Sequence, residues 1–228
     1  MARTALPPTP LIEHLQGLIE RTYALPRLVG DAGRFLVGDR GYRWLYGGND
    51  GAAAPVELSA RLMVRTAGGQ TGSTQAALYY PDALVRHLEI HDPRRSLDDR
   101  NIDAFATFAE ELDHLITLAS RSAAGRTVSL IELEHHAAVT KYLLVVHFLG
   151  KMTRRRRVAD LHRMWARHHL FEKYAAEGED AERYRTAARL AGRYVALLDR
   201  MPAADRRAEL VAFHDRPFAE QVRHVEGR

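Results

Sequence analysis

One helix-length stretch, 129–149, has no polar face. Ile131, Leu133, Ala137, Ala138, Val139, Tyr142 to Val146, Phe148 and Leu149 surround its whole circumference. A helix that is apolar all round is stable only when other elements cover every side of it. It is no membrane span: its longest apolar run, Tyr142 to Leu149, is interrupted by His147 and is far shorter than the roughly 18 residues a span needs. The fold must therefore be one that wraps this helix. Yet its first turns carry Glu132, Glu134, His135 and His136. An isolated buried carboxylate is costly, so each such group must be paired, protonated or metal-bound. The local explanation is that Ser129 caps the helix with Glu132 closing a capping box, that Glu134 pairs with Lys141, and that the two histidines lie near the surface end.

The preceding stretch, 101–122, reads as a second helix. Phe105, Phe108, Ala109, Leu112, Ile116 and Ala119 form its apolar face, with Asp98 or Asp99 as the expected cap. Glu110, Glu111 and His114 lie opposite, one turn apart, so all three can converge on one point. The simplest reading is a solvated polar face. Gly125 marks a short turn, which predicts an antiparallel hairpin with Glu111 and His114 facing the start of the apolar helix.

Elsewhere the periodicity predicts a helix over 10–24, a hairpin over 34–46, a Gly/Ala/Asn loop over 47–55, a strand over 56–66, a turn over 68–72 and a strand over 76–80. Helices follow over 82–91, 157–176, 180–200 and 203–214. The class is α+β: a small antiparallel sheet in the N-terminal third packed on a helical body. Residues 1–150 form the expected core, and 151–228 a helical C-terminal extension packed on it.

The chain of 228 residues contains no cysteine, which excludes a disulfide scaffold, a thiolate metal site and a cysteine nucleophile. Residues 1–10 lack the apolar core of a secretory signal, so the expected location is the cytoplasm, with no membrane association. Of the 33 basic residues only three are lysine, a skew that reflects genome composition and is no mark of nucleic-acid binding. The one dense basic block is Arg154-Arg155-Arg156-Arg157. With Arg163, Trp165, Arg167, His168 and His169 it could hold phosphates, so the region from Arg154 to His169 defines a nucleic-acid alternative. A charged interhelix loop followed by a solvated arginine-rich face is the favoured reading. His87-Leu88-Glu89-Ile90-His91 reads as an amphipathic helix end. There is no Gly-rich phosphate loop, dinucleotide fingerprint or nucleophile elbow.

Ala109-Glu110-Glu111-Leu112-Asp113-His114 resembles the zincin motif, in which His-Glu-x-x-His places two imidazoles on a zinc ion and the Glu acts as general base. Glu134-His135-His136-Ala137-Ala138 is similar to the Glu-x-x-Ala-Asn helix that supplies the third ligand in the compact bacterial gluzincins of the ImmA/IrrE type. The order of helix, small sheet, motif helix and carboxylate helix resembles that family over about residues 10–150. The resemblance implies Glu111 as general base and His114 and Glu134 as metal ligands. Glu110 stands where the first imidazole belongs, and Ala138 where the Asn belongs. A Glu110/His114/Glu134 set leaves less positive charge on the metal and weakens the nitrogen-rich environment that zinc prefers. The expectation is thus a zincin-like protein with a divergent or lost metal site, metal-free, acting by binding a protein partner. The alternative is an active metal-dependent hydrolase, a peptidase with zinc as the possible ion, using Glu110, His114 and Glu134 with Glu111 as general base. A di-iron arrangement is a further option, because Glu111-x-x-His114 and Glu132-x-x-His135 share its spacing, with Glu89 or Glu172 as bridging carboxylates.

Overall fold

The structure, a computed structural model, describes residues 10–46, 60–66, 74–153, 158–173, 178 and 180–227. The loop expected over 47–55, the turn over 68–72, the beginning of the strand expected from Val56 and the Arg154–Arg157 block lie outside the described residues.

The chain opens with helix α1 (Leu11–Thr22), passes through a tight turn at Ala32–Phe35 and enters strand β1 (Leu36–Val37). Helix α2 (Asp39–Tyr46), strands β2 (Arg61–Thr66) and β3 (Thr74–Tyr79) and helix α3 (Asp82–Ile90) follow. The helical body comprises α4 (Ile102–Ala123), α5 (Leu130–Thr153), α6 (Asp160–Arg167) with a π-type turn at His168–Glu172, α7 (Ala181–Arg200), α8 (Ala203–Asp215) and α9 (Phe218–Glu226). The class is α+β, as the periodicity predicts. Among the described residues no helix is long and apolar enough to cross a membrane.

The apolar helix α5 lies at the centre. Helix α4 packs along one side of it and α7 along the other, with α1 and α6 closing further sides. Leu144, Val145, Phe148 and Leu149 of α5 share one core with Ile102, Phe105 and Leu112 of α4, with Leu190, Tyr194 and Leu198 of α7, and with Phe213 of α8. The Gly125 turn, at φ 66°, makes the α4–α5 hairpin that the sequence predicts. Glu132 N donates to Ser129 Oγ at 3.3 Å, so Ser129 does cap α5. At the start of α4 the expected carboxylate cap is absent. The Asp98 carbonyl, not its carboxylate, accepts from Asn101 N and Ile102 N, while the Asp98 carboxylate is held by Arg100.

Among the described residues the sheet has three strands in the order β1-β3-β2. β2 and β3 are antiparallel in the register Leu62↔Leu78 and Val64↔Ala76. β1 is parallel to β3, so the hairpin predicted over 34–46 does not form. Its second arm is helix α2 instead. The reason is tertiary. Asp39 N, at the start of α2, donates to Asp82 Oδ1, and Tyr79 Oη donates to Asp39 Oδ1 at 2.9 Å. These bonds tie α2 to the end of β3 and override the strand preference of Tyr42, Trp44 and Tyr46. The neighbouring glycines serve close approach rather than a hairpin turn: a Cβ at Gly38 would lie 2.3 Å from Asp82 Oδ1. The sheet rests on α4 through Tyr80, whose ring stacks on Phe108 at 4.3 Å and whose hydroxyl donates to Phe108 O. Helix α9 follows Pro217 and ends at Gly227, φ 71°, stop and start signals that were present in the sequence beyond the last predicted helix.

Candidate metal centre

Because α4 and α5 run antiparallel, residues one turn apart on α4 meet the first turns of α5. Glu110 and His114 of α4 and Glu134 of α5 converge, each offering one ligand atom, and these atoms lie within 4.8 Å of one another. His114 Nε2 is 3.7 Å from Glu134 Oε2, and His114 Nδ1 is 3.5 Å from Glu111 Oε2. The polar side of α4 is therefore not solvated: α5 covers it, and His114 is buried. Glu134, not Glu132, faces the imidazole. Among the described residues no other group of three metal-ligating side chains meets in this way.

The partners expected for the α5 carboxylates are exchanged. Lys141 Nζ donates to Glu110 Oε2 at 2.7 Å, not to Glu134. Glu132 takes Arg121 Nε at 2.8 Å, one side of a buried ion pair, instead of closing a capping box with its carboxylate. Glu134 has Arg183 Nε at 3.7 Å. Glu111 accepts from the backbone N–H of Leu62. β2 is an outer strand of the sheet among the described residues, and the carboxylate satisfies this N–H.

Electrostatically the cluster already stores positive charge. Burial alone would lower the His114 imidazole, but the Glu111 hydrogen bond and the charges of Glu110, Glu111 and Glu134 raise it to about 9. Burial raises the Glu134 carboxyl to about 7, against the pull of His114, and the neighbouring Glu110 carboxylate adds to the rise. Burial opposes ionisation of Glu110 too, yet Lys141 and His114 outweigh it and hold that group below its ordinary range. The two carboxyls are thus driven in opposite directions, Glu110 toward the ionised form and Glu134 toward the protonated one. The site thus holds protons where a cation would stand.

His114 Nε2 is buried and has no hydrogen-bond partner. Such a nitrogen, 3.7 Å from the Glu134 carboxylate, is one that could ligate a metal ion. Two oxygens and one nitrogen make a harder donor set than that of a peptidase zinc site. The residues present therefore fit a divalent ion, with Glu111 on the far ring nitrogen in the position of an orienting carboxylate.

Behind this cluster lies a polar chain that the sequence reading passed over. Asp113 is fully buried, with Oδ2 2.8 Å from His136 Nδ1 and Oδ1 accepting from Thr140 Oγ1 at 2.7 Å. Thr140 Oγ1 also meets Tyr23 Oη at 2.8 Å, and Thr117 Oγ1 lies 3.1 Å from His136 Nδ1. His136 Nε2 is 3.0 Å from His214 Nδ1, and His214 Nε2 is 2.9 Å from Ser120 Oγ. Burial, with the charges of His136 and Arg121, lowers His214 to about 3, so it is neutral. His135 and His136 are fully buried rather than near the surface, because α8 and α9 cover the start of α5: His135 Nδ1 lies 3.2 Å from Gln221 Oε1 of α9. Glu132 and His135 accordingly do not join Glu111 and His114, and Glu172 sits outside on His168. The geometry gives the di-iron arrangement no shared centre.

Glu110 and Glu134 open on a cavity of about 580 Å³ between α5, α7 and the π-type turn. Of the region from Arg154 to His169, the described cations are engaged: Arg163 and Arg167 both bind Asp199, and His169 lies 3.2 Å from Asp99. The rings of His87 and His91 meet at 4.7 Å with a tilt of 50°, and His87 Nε2 lies on Arg100 O. No family model, curated protein or solved structure matches the chain.

Proposed function

We propose that this protein holds a divalent metal ion through Glu110, His114 and Glu134, on a zincin-like scaffold whose peptidase ligand set has diverged. One observation carries the reading: carboxylates from consecutive helices converge with a buried imidazole, the three ligand atoms lying within 4.8 Å of one another, and His114 Nε2 has no hydrogen-bond partner. A bound divalent ion would supply Lewis-acid polarisation of a ligand atom entering from the cavity.

The residues of the chain do the rest. Glu110 and Glu134 present carboxylate oxygens at the cavity wall, and His114 presents its nitrogen from behind them. Glu111 holds the imidazole by its other nitrogen and is itself anchored to the edge strand. In this reading Glu111 is a positioning residue and not a general base, since its carboxylate is committed to His114 and Leu62. Lys141 and Arg183 balance the carboxylates when no ion is bound. Ordinary peptidase chemistry is thereby set aside in favour of metal-dependent binding, in keeping with the departure at Glu110.

Metal analysis of the purified chain after loading with Zn²⁺ or Mn²⁺ and gel filtration is the test. About one equivalent per chain is expected, because the three side chains form one site. His114→Ala should release it. Glu111→Gln should retain it with roughly 10–100-fold weaker affinity, the usual cost of losing an orienting partner. No retained ion, with His114→Ala indistinguishable from the parent, overturns the reading. A parent that hydrolyses peptides, and a Glu111→Gln variant that keeps the ion but not that activity, would restore Glu111 as general base.

A further inference from the structure

The cavity beside the cluster has an unusual wall. Along α7, Arg185, Arg189 and Arg193 recur every fourth residue and line it. Beside them Ala188, Gly192 and Ala196 recur at the same interval and line it too. Residues four apart share a helix face, so these are two adjacent rows, one basic and one small. The small row makes the hollow. The basic row crowds like charges on one face, which disfavours the helix unless something negative is supplied.

The described residues supply little. Five cationic side chains line the cavity, namely Lys141, Arg167, Arg185, Arg189 and Arg193, against the three carboxylates of Glu110, Glu134 and Glu172. Lys141 and Arg167 are committed to Glu110 and Asp199, and Arg185 is engaged as well. Glu172 faces His168. Arg189 is nearly half exposed and reaches Glu226 at 3.3 Å. Arg193 has no carboxylate partner among the described residues. The opposite wall carries Ala138, Leu170 and Phe171, an apolar surface that no inorganic ion would use. The volume of about 580 Å³ is that of a small-molecule site.

We propose that the cavity binds a small organic anion, its carboxylate or phosphate on Arg189 and Arg193 and its apolar body against Phe171, so that its other end is presented to Glu110 and Glu134. Binding in the cavity stands on the α7 rows alone; only the ligand's orientation toward a metal rests on the function proposed above. Charge-assisted hydrogen bonds from guanidinium give the acid its affinity, and the apolar wall selects against bare phosphate.

The test is titration calorimetry on the full chain, chelator-treated, with phenylacetate, phenyl phosphate, inorganic phosphate and the neutral phenylacetamide. The two aromatic anions should bind at least tenfold more tightly than phenylacetamide and inorganic phosphate, and more weakly as salt rises. Comparing phenylacetate with phenyl phosphate tells which acid the site prefers. The Arg189→Ala/Arg193→Ala double variant should lose at least tenfold, with an unchanged circular dichroism spectrum because both side chains are surface-accessible. Gly192→Leu should abolish binding by filling the hollow; a Cβ there meets Phe171 only at 3.8 Å, so the backbone tolerates it. Equal binding of phenylacetamide, or undiminished binding in the double variant, overturns the proposal, as does the absence of binding at millimolar concentration. The two readings fail separately. A parent that binds the anions but retains no metal loses the metal site only, and a parent that retains metal but binds no anion loses this inference only.

Discussion

Asp113 occupies a position where a carboxylate has no business unless it is fully satisfied. It has no exposure, and its two oxygens hold His136 and Thr140. Replacing it by Ala leaves an imidazole and a hydroxyl facing a void, so Asp113→Ala should cost about 3–5 kcal/mol, the range for breaking a buried charged pair. Urea denaturation at neutral pH measures it, and a loss under 1 kcal/mol would mean that the network relaxes around the gap. The sequence made this residue visible without making it interpretable. Asp113 falls one turn after Ala109 and one turn before Thr117, on the buried side of α4, and a charge on a buried face is the informative kind. Its partners come from α5 and, through His136, from α8 about 80 residues further on, and no spacing rule connects those. By contrast, Glu110, Glu111 and His114 were legible because one turn of helix sets them together. His214 carries the pH dependence of the same network. Its folded-state pKa, about 3, lies below its ordinary 6.5. Below pH 6.5 the unfolded chain takes up a proton that the folded chain refuses, so this contribution falls as pH drops, by up to about 1.4 kcal/mol per pH unit, until the folded imidazole itself charges. His214→Gln should flatten the acid limb of denaturation midpoints measured between pH 6.5 and 4; an unchanged slope would assign that limb elsewhere.

At the scale of elements, α5 was readable as a buried helix, though not in the partners of its polar residues, and α2 was not readable at all. The all-round apolar pattern of α5 states its own burial, since no other environment suits it. Tyr42 to Tyr46 are strand formers by local preference, and only the tie from Asp39 to Asp82 and Tyr79 makes them helical. α5 also carries its own competitor for the metal. Lys141, two turns beyond Glu134, holds Glu110 while the side chains of this pair remain 14% and 21% exposed. A pair so placed is worth about 1 kcal/mol after solvent screening. Lys141→Met should therefore release Glu110 to an incoming ion and tighten metal binding about fivefold, as measured by competition with a chromophoric chelator. Weaker binding in the variant would show that the amine organises the site rather than opposes the ion.

At the scale of the whole molecule, the C-terminal helices are structural members of the core. α7 gives it Leu190, Ala191, Tyr194, Val195 and Leu198, and α8 gives it Phe213. A chain stopped after Thr153 would expose the α7 side of α5, together with one entire wall of the cavity. Such a fragment should show helical far-ultraviolet dichroism without a cooperative melting transition; a sharp transition would demonstrate that residues 10–153 fold alone. The polar chain from Asp113 to Ser120 sharpens the point into one about synthesis. While the ribosome is still extending the chain, α4 and α5 can collapse on each other as soon as both have emerged, but His136 then has no His214 and His135 has no Gln221. The hairpin waits with His135 and the Nε2 of His136 unsatisfied at its centre until α8 and α9 are made. Completion of the fold is thereby deferred until α8 and α9 have emerged, and a nascent chain stalled short of α8 is a natural client for a chaperone.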